Sequence, residues 1–209
     1  MLNDKKFRAI LTLNGDLPEK EFFNRDIPVI AADGAANKLA AMCIKPSKII
    51  GDLDSVHQDL LEEGNHVHDP DQSASDFEKA LHYMKENDLL PAIITGVNGG
   101  YLDHVLHNIN IFLQTDSIIY APPMIGMIIK SGENVELSVT PGAKISLLGL
   151  PSAMVSSNGL KWELNHHELA FPGYNSCFNR AARDHIEITV QSGNILMLIY
   201  QQVIADAGL

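Results

Sequence analysis

The sequence predicts an α/β domain with a mostly parallel sheet, followed by an all-β domain of sandwich or barrel type. Three observations carry that expectation. Over roughly the first 120 residues, short apolar runs alternate with helical patterns. Those runs are apolar almost without interruption, as in strands covered on both faces. After Ala121-Pro122-Pro123 the helical period disappears, and short runs separated by turn residues replace it. The implied division is a first domain over residues 1–122 and a second over 123–209.

The strands of the first domain are expected in AILTL, PVIAAD, SKIIGD, AIITG and SIIYAP, each rich in Ile, Val or Ala. Helices are expected at about 34–43, 55–63, 75–87 and 102–114. The third has the clearest signature. Ser75-Asp76-Phe77-Glu78 matches a capping box, and Phe77, Ala80, Leu81 and Met84 form one apolar face. In the fourth, Leu102, Val105, Leu106, Ile109 and Leu113 are expected inward, with Asp103, His107 and Asn110 opposite. The second domain offers seven runs: MIGMIIK, NVELSV, AKISLLGL, AMVSS, GLKWEL, HIEITV and NILMLIY. Turns are expected at 131–133, 141–142 and 192–194, where Ser-Gly-Glu, Pro-Gly and Ser-Gly-Asn fall.

Composition excludes several classes of function. The chain of 209 residues is 45% apolar and 20% charged, without low-complexity tracts, which excludes a disordered tail. Fifteen Lys and Arg against 26 Asp and Glu give a net charge of −11, and no basic cluster stands out, so no nucleic-acid partner is expected. No apolar run approaches the roughly 20 residues of a membrane span, so no membrane partner is expected either. MLNDKKFRAILTL reads as a lead into the first strand rather than a signal peptide, since it lacks a small-residue cleavage site. Cys43 and Cys177 are too few for a disulfide framework. The cytoplasm is the expected location.

The acidic residues gather where strands are expected to end: Asp33 after VIAA, Asp52 and Asp54 after KIIG, then Asp71, Asp76 and Asp103. Taken singly, each is also a common turn or capping residue. Taken together, they converge on the crevice beyond the carboxyl ends of an open sheet. Several carboxylates there repel one another unless a cation such as Mg²⁺ joins them. In Gly51-Asp52-Leu53-Asp54-Ser55 an extended backbone would turn both carboxylates to one side. Lys79, three residues after Asp76, lies on the same helix face and can meet phosphate or pair with a neighbour. Trp162 is the single tryptophan, in an expected Lys-Trp-Glu strand. His66, His68, His104, His107, His166 and His167 lack the Cys or carboxylate partners of a tetrahedral zinc set. No Walker lysine loop, Gly-x-Gly-x-x-Gly or Gly-x-Ser-x-Gly is present.

Six motifs follow one another in order: Asn14-Gly15-Asp16-Leu17-Pro18, Ala32-Asp33-Gly34-Ala35-Ala36-Asn37, Gly51-Asp52-Leu53-Asp54-Ser55, the run from Asp71-Gln72 through Ser75-Asp76-Phe77-Glu78-Lys79-Ala80-Leu81, Gly99-Gly100-Tyr101-Leu102-Asp103-His104, and Gly159-Leu160-Lys161-Trp162-Glu163-Leu164. Together they resemble the thiamine pyrophosphokinase family. The resemblance implies transfer of diphosphate from ATP to the hydroxyl of thiamine with release of AMP. It also implies Mg²⁺ and a homodimer whose thiamine site lies where one subunit's α/β domain meets the partner's β domain. On the same resemblance Asp52, Asp54 and Asp76 hold the metal, with Asp33, Asp71 and Asp103 beside the nucleotide. Gln72 and Trp162 meet thiamine, while Ser75 replaces the family's Thr and keeps its hydroxyl. Ser176 and Asn179 continue a substrate segment. Besides Ser75, three positions depart from the pattern: Tyr101 for Arg, Leu53 for Phe, and Phe178 for a small polar residue. Two alternatives stand beside this reading: a diphosphokinase acting on a related heterocyclic alcohol and, because Tyr101 removes the arginine charge, a catalytically weakened thiamine-binding module.

Overall fold

The computed structural model describes residues 7–62 and 64–200. The opening residues of the amino-terminal stretch, position 63 and the last nine residues lie outside the described part. Two compact units emerge, Met1–Ala121 and Pro122–Leu209.

In the first unit the apolar runs become β1 (Ala9–Thr12), β2 (Val29–Ala32), β3 (Lys48–Gly51), β5 (Ala92–Thr95) and β6 (Ile118–Ala121). A further short strand, β4 (His66–His68), lies outside the five expected runs. The helices are α1 (Ala35–Ala41), α2 (Gln58–Leu61), α3 (Asp76–Glu86) and α4 (Leu102–Phe112). All six strands pair in parallel, in the order β6-β5-β1-β2-β3-β4. β1, β2 and β5 are buried along their whole length, which is why their sequences show no alternation. The chain winds outward from β1 through β2 to β4, then returns to β1's other side with β5. β1 and β5 therefore flank a switch point, the place where open sheets of this kind leave a crevice. The loops that follow them stay in contact, the Asp16 N–H donating to the Asn98 carbonyl at 2.6 Å.

Two helices differ from expectation. α2 is much shorter than 55–63, because Asp54 and Ser55 are used in a turn. α4 has the expected position but a different roll. Val105 and Ile109 are half-buried and Phe112 is fully buried, whereas Leu102 and Leu106 are 72% and 58% exposed. Seating the large Phe112 ring swings the helix away from the face expected from leucine spacing.

The second unit is wholly antiparallel. Its strands are β7 (Met124–Ile129), β8 (Asn134–Ser138), β9 (Lys144–Asn158), β10 (His167–Ala170), β11 (Ser176–Arg180) and β12 (His185–Tyr200). β9 and β12 pair along most of their length and carry the others: β10 and β11 on β9, β7 and β8 on β12. Seven short strands are thus replaced by six, two of them long. The expected turn at 192–194 instead lies within continuous β12, between a bulge in β12 at Val190/Ser192 and a second register shift at Gly193/Ile195 whose extra residues are in β9. Val190 and Ile195 are an odd number of residues apart, yet both are fully buried. The bulges supply the register change that keeps each inside. Gly193 is required there, with φ +72° and a Cβ position only 2.0 Å from the Ser152 carbonyl. The expected strand GLKWEL is irregular: its one ladder pairing among the described residues is the isolated Leu160–Ala181 bridge.

Candidate active site

The site in the first unit is assembled at the carboxyl ends of β2 and β3 and the start of α3. Asp33 leaves β2 with φ +43° and donates its N–H to the Ile50 carbonyl at 2.8 Å. That turn sinks its side chain to 6% exposure and leaves Oδ1 buried without a hydrogen-bond partner. Gly51 ends β3 where a Cβ would lie 2.9 Å from both the Asp33 Cβ and Asp76 Oδ1, so only glycine lets the two acids approach. Asp76 opens α3, behind a complete capping box between Ser75 and Glu78. Ser75 accepts the Glu78 N–H and gives its hydroxyl proton to Oε2 of Glu78 at 2.7 Å, so this hydroxyl fixes the helix start.

Asp33, Asp52 and Asp76 each present an oxygen within 4.8 Å of the others. Asp54 stands outside this group. The extended geometry expected for 51–55 stops at Gly51, because Leu53 takes φ +64° and turns the chain. Asp54 is consequently exposed, accepting the Ser55 hydroxyl at 2.8 Å while its N–H donates to Asp52 Oδ1 at 3.3 Å. Asp52 Oδ2 accepts the Gln72 amide at 2.8 Å. Asp71 closes a small turn by accepting the Ser73 N–H. Asp103, in the first turn of α4, accepts the His104 N–H at 2.9 Å and is exposed.

Lys79 is the buried cation of the group, its side chain 3% exposed and Nζ 3.5 Å from Asp76 Oδ1. At an effective dielectric near 20, two unit charges about 4–5 Å apart interact by roughly 3–4 kcal/mol. One lysine therefore offsets about one acid–acid repulsion, and the set retains an excess of negative charge. The protonation trends follow. Burial pushes Asp33 above the usual carboxylate range, with the Asp52 and Asp54 charges adding to the shift. Burial and then the Asp33 charge raise Asp76, against the pull of Lys79. The Gln72 amide and the Asp54 N–H hold Asp52 low. An all-oxygen donor set with a buried, unpartnered Asp33 oxygen and a cradle at Gly51 fits a hard divalent cation.

Two bracing residues were missed from sequence. Lys38 Nζ donates to the Asn14 and Gly15 carbonyls at 2.9 and 2.7 Å. Asn37 donates to the Ser55 carbonyl and accepts the His57 N–H. Lys38 has only its membership of the helix that follows Asp33 as a sequence signal; Asn37 closes the Ala32–Asn37 motif, which marks the position but not its bracing role.

In the second unit Trp162 is 55% exposed, with Lys161 Nζ 4.7 Å from its ring centroid. Ser176 and Asn179, expected at the substrate, lie beneath the surface at 6% and 2% exposure.

A parallel sheet with aspartates at its strand ends, followed by a wholly antiparallel unit, defines a two-unit α/β-plus-β protein with a candidate cation site. Two family models match it: the thiamin pyrophosphokinase catalytic domain over residues 20–120 and the thiamin pyrophosphokinase vitamin B1 binding domain over residues 132–195. The chain belongs to the thiamin pyrophosphokinase family. Among its relatives, thiamine pyrophosphokinase 3 of Oryza sativa subsp. japonica is 27% identical over 90% of this chain and 85% of its own. Thiamine pyrophosphokinase 1 of Arabidopsis thaliana is 27% identical over 90% and 84%. The thiamin pyrophosphokinase from Candida albicans shares the fold, with a TM-score of 0.79 at 18% identity over 94% of this chain and 90% of its own. The Bacillus subtilis structure gives 0.78 at 17%, over 94% and 100%.

Proposed function

We propose that the chain transfers diphosphate from ATP to the hydroxyl of thiamine, giving thiamine diphosphate and AMP. The observation that carries this reading is the convergence of Asp33, Asp52 and Asp76 around an excess of negative charge, in a chain of this family. The thiamine oxygen attacks the β-phosphorus of ATP, the bond from that phosphorus to the α,β-bridging oxygen breaks, and AMP leaves. A carboxylate of the site accepts the hydroxyl proton. Such chemistry depends on positioning and charge stabilisation more than on a protein nucleophile. Asp52 and Asp76 with Asp33 would hold Mg²⁺, with Asp54 approaching from the turn, and the ion would supply positive charge to the phosphate oxygens. Lys79 holds Asp76 in place and contributes the second positive charge. Asp71 and Asp103 flank the nucleotide. Gln72, whose amide N–H₂ is engaged by Asp52, keeps its carbonyl oxygen for a donor on thiamine. Trp162 offers its ring face to the cationic thiazolium, a contact worth roughly 0.5–2 kcal/mol.

On this reading the first unit binds ATP and Mg²⁺, the second binds thiamine, and two copies share each thiamine site. Exposed Tyr101 and Leu106, with Phe171 and Phe178, are apolar surface suited to pairing. The cytoplasm, where the exposed free thiols of Cys43 and Cys177 stay reduced, is the proposed location. The deciding experiment measures AMP released from ATP with thiamine and Mg²⁺ each omitted in turn. AMP formed only when both are present is the expected result. ADP as product, or AMP formed without thiamine, would overturn the reading.

A further inference from the structure

We propose that Asn179 is a positioning residue that holds the main chain of Trp162 and does not itself touch substrate. The proposal rests on the reading of Trp162 as the thiamine platform. The Asn179 amide N–H₂ donates to the Trp162 carbonyl at 2.7 Å and to Ser176 Oγ at 3.0 Å. Its oxygen accepts the Trp162 N–H at 3.2 Å and the Arg180 N–H at 2.8 Å. A carboxamide has two donors and two acceptor lone pairs, so all four are occupied and none remains for a ligand. Both peptide groups of Trp162 are thus clamped by one side chain that is 2% exposed.

The local backbone is shaped to permit this clamp. Ser176 and Asn179 are three apart, an odd spacing that would put them on opposite faces of a regular strand. A register irregularity in β11 between them, with Phe178 at φ +55°, turns both inward and Phe178 outward. The rest of the segment is held as well. The Lys161 N–H donates to the Arg180 carbonyl at 2.7 Å. Glu163 Oε1 accepts the Gly159 N–H, and Ser157 Oγ accepts the Leu164 N–H. GLKWEL therefore has no continuous strand ladder but is held by the buried Asn179 side chain, the half-buried Ser157 and backbone bonds, presenting a half-exposed indole on a fixed base. Fixing an aromatic surface before the ligand arrives removes an ordering cost from binding.

Trp162 is the single tryptophan, so its fluorescence reports the clamp directly. In the full-length wild type the anisotropy decay should lack a large sub-nanosecond component despite the exposure of the ring. In Asn179→Ala the fast component should grow, thiamine affinity should fall about tenfold, and ATP affinity should stay within about twofold. Asn175→Ala is the control. Asn175 bridges Gly149 and Ala170 in the same unit, so its loss should lower the melting temperature without mobilising Trp162. If Asn179→Ala does not fold, Asn179→Asp keeps the acceptor oxygen and loses both donors, and the same shift in anisotropy is expected. A freely rotating indole in the wild type would overturn the proposal. So would weaker thiamine binding in a folded Asn179 variant whose Trp162 signal is unchanged, since that points to direct contact. Thiamine binding that survives in Trp162→Ala would overturn the platform reading alone, leaving the anisotropy to judge the clamp.

Discussion

At the scale of single residues, the difference between Asp52 and Asp54 is set by one backbone angle. Leu53 at φ +64° keeps Asp52 facing Asp33 and Asp76 and turns Asp54 to the surface. Mn²⁺ titration, with Mn²⁺ replacing Mg²⁺ as a paramagnetic probe, should therefore show affinity falling more in Asp52→Asn and Asp76→Asn than in Asp54→Asn. Equal losses in all three would mean Leu53 relaxes on metal binding. The buried acids also carry a pH signature in metal-free protein. Asp33 and Asp76 are raised, so between the unfolded carboxylate value, about 4, and their own values the native chain binds more protons than the unfolded one. Their contribution thus favours folding at low pH and is lost as pH rises. In EDTA, the melting temperature of Asp33→Asn minus that of wild type should increase from about pH 4 to pH 7, and Mg²⁺ should raise the wild-type value more at pH 7. The sequence marked all these carboxylates as candidates by their place after strands. It held no signal for the left-handed turn at Leu53, because leucine rarely adopts it and the surrounding loops impose it.

At the scale of elements, α3 is the part whose sequence and structure agree most closely. Its capping box, its apolar face of Phe77, Ala80 and Met84, and Asp76 at its first position all have the expected places. Removing the cap should reach the site: Ser75→Ala is expected to cost about 1 kcal/mol. For a chain of this size that is a fall of about 2–4 °C in melting temperature. Metal affinity should weaken as Asp76 loses its fixed approach, and calorimetric Mn²⁺ titration would detect it. β9 and β12 were less legible for a specific reason. Ser-Gly-Asn reads as a chain reversal and the break after AKISLLGL as a strand end, yet here both lie inside continuous strands. Only the pairing partners, distant in sequence, decide between a turn and a bulge. The bulge makes a sharp prediction. Gly193→Ala places a methyl against the Ser152 carbonyl in a left-handed conformation, so it should destabilise by roughly 1–3 kcal/mol, read as a lowered denaturant midpoint with unchanged slope.

At the scale of the whole molecule, the change from alternating strand and helix to pure strand was visible in the hydrophobic pattern, whereas the pairing order in each unit was not. The proposed sharing of each thiamine site between two copies has a stoichiometric consequence. Asp52→Asn and Trp162→Ala chains, each inactive alone, should recover about a quarter of wild-type activity when mixed, unfolded and refolded, since half the dimers are mixed and each has one undamaged site. Proven mixed dimers without activity would show that each site is built within one chain. The arrangement of β12 bears on how the protein is made. The strand spans His185–Tyr200 and is the shared partner of β7, β8 and β9. During synthesis the first unit has all its described strands by Ala121, while β7, β8 and β9 emerge with their shared partner β12 still unmade. At about 5–20 residues per second, those edges stand open on the ribosome for several seconds, inviting chaperones or a neighbouring nascent chain, until translation of the last strand closes them.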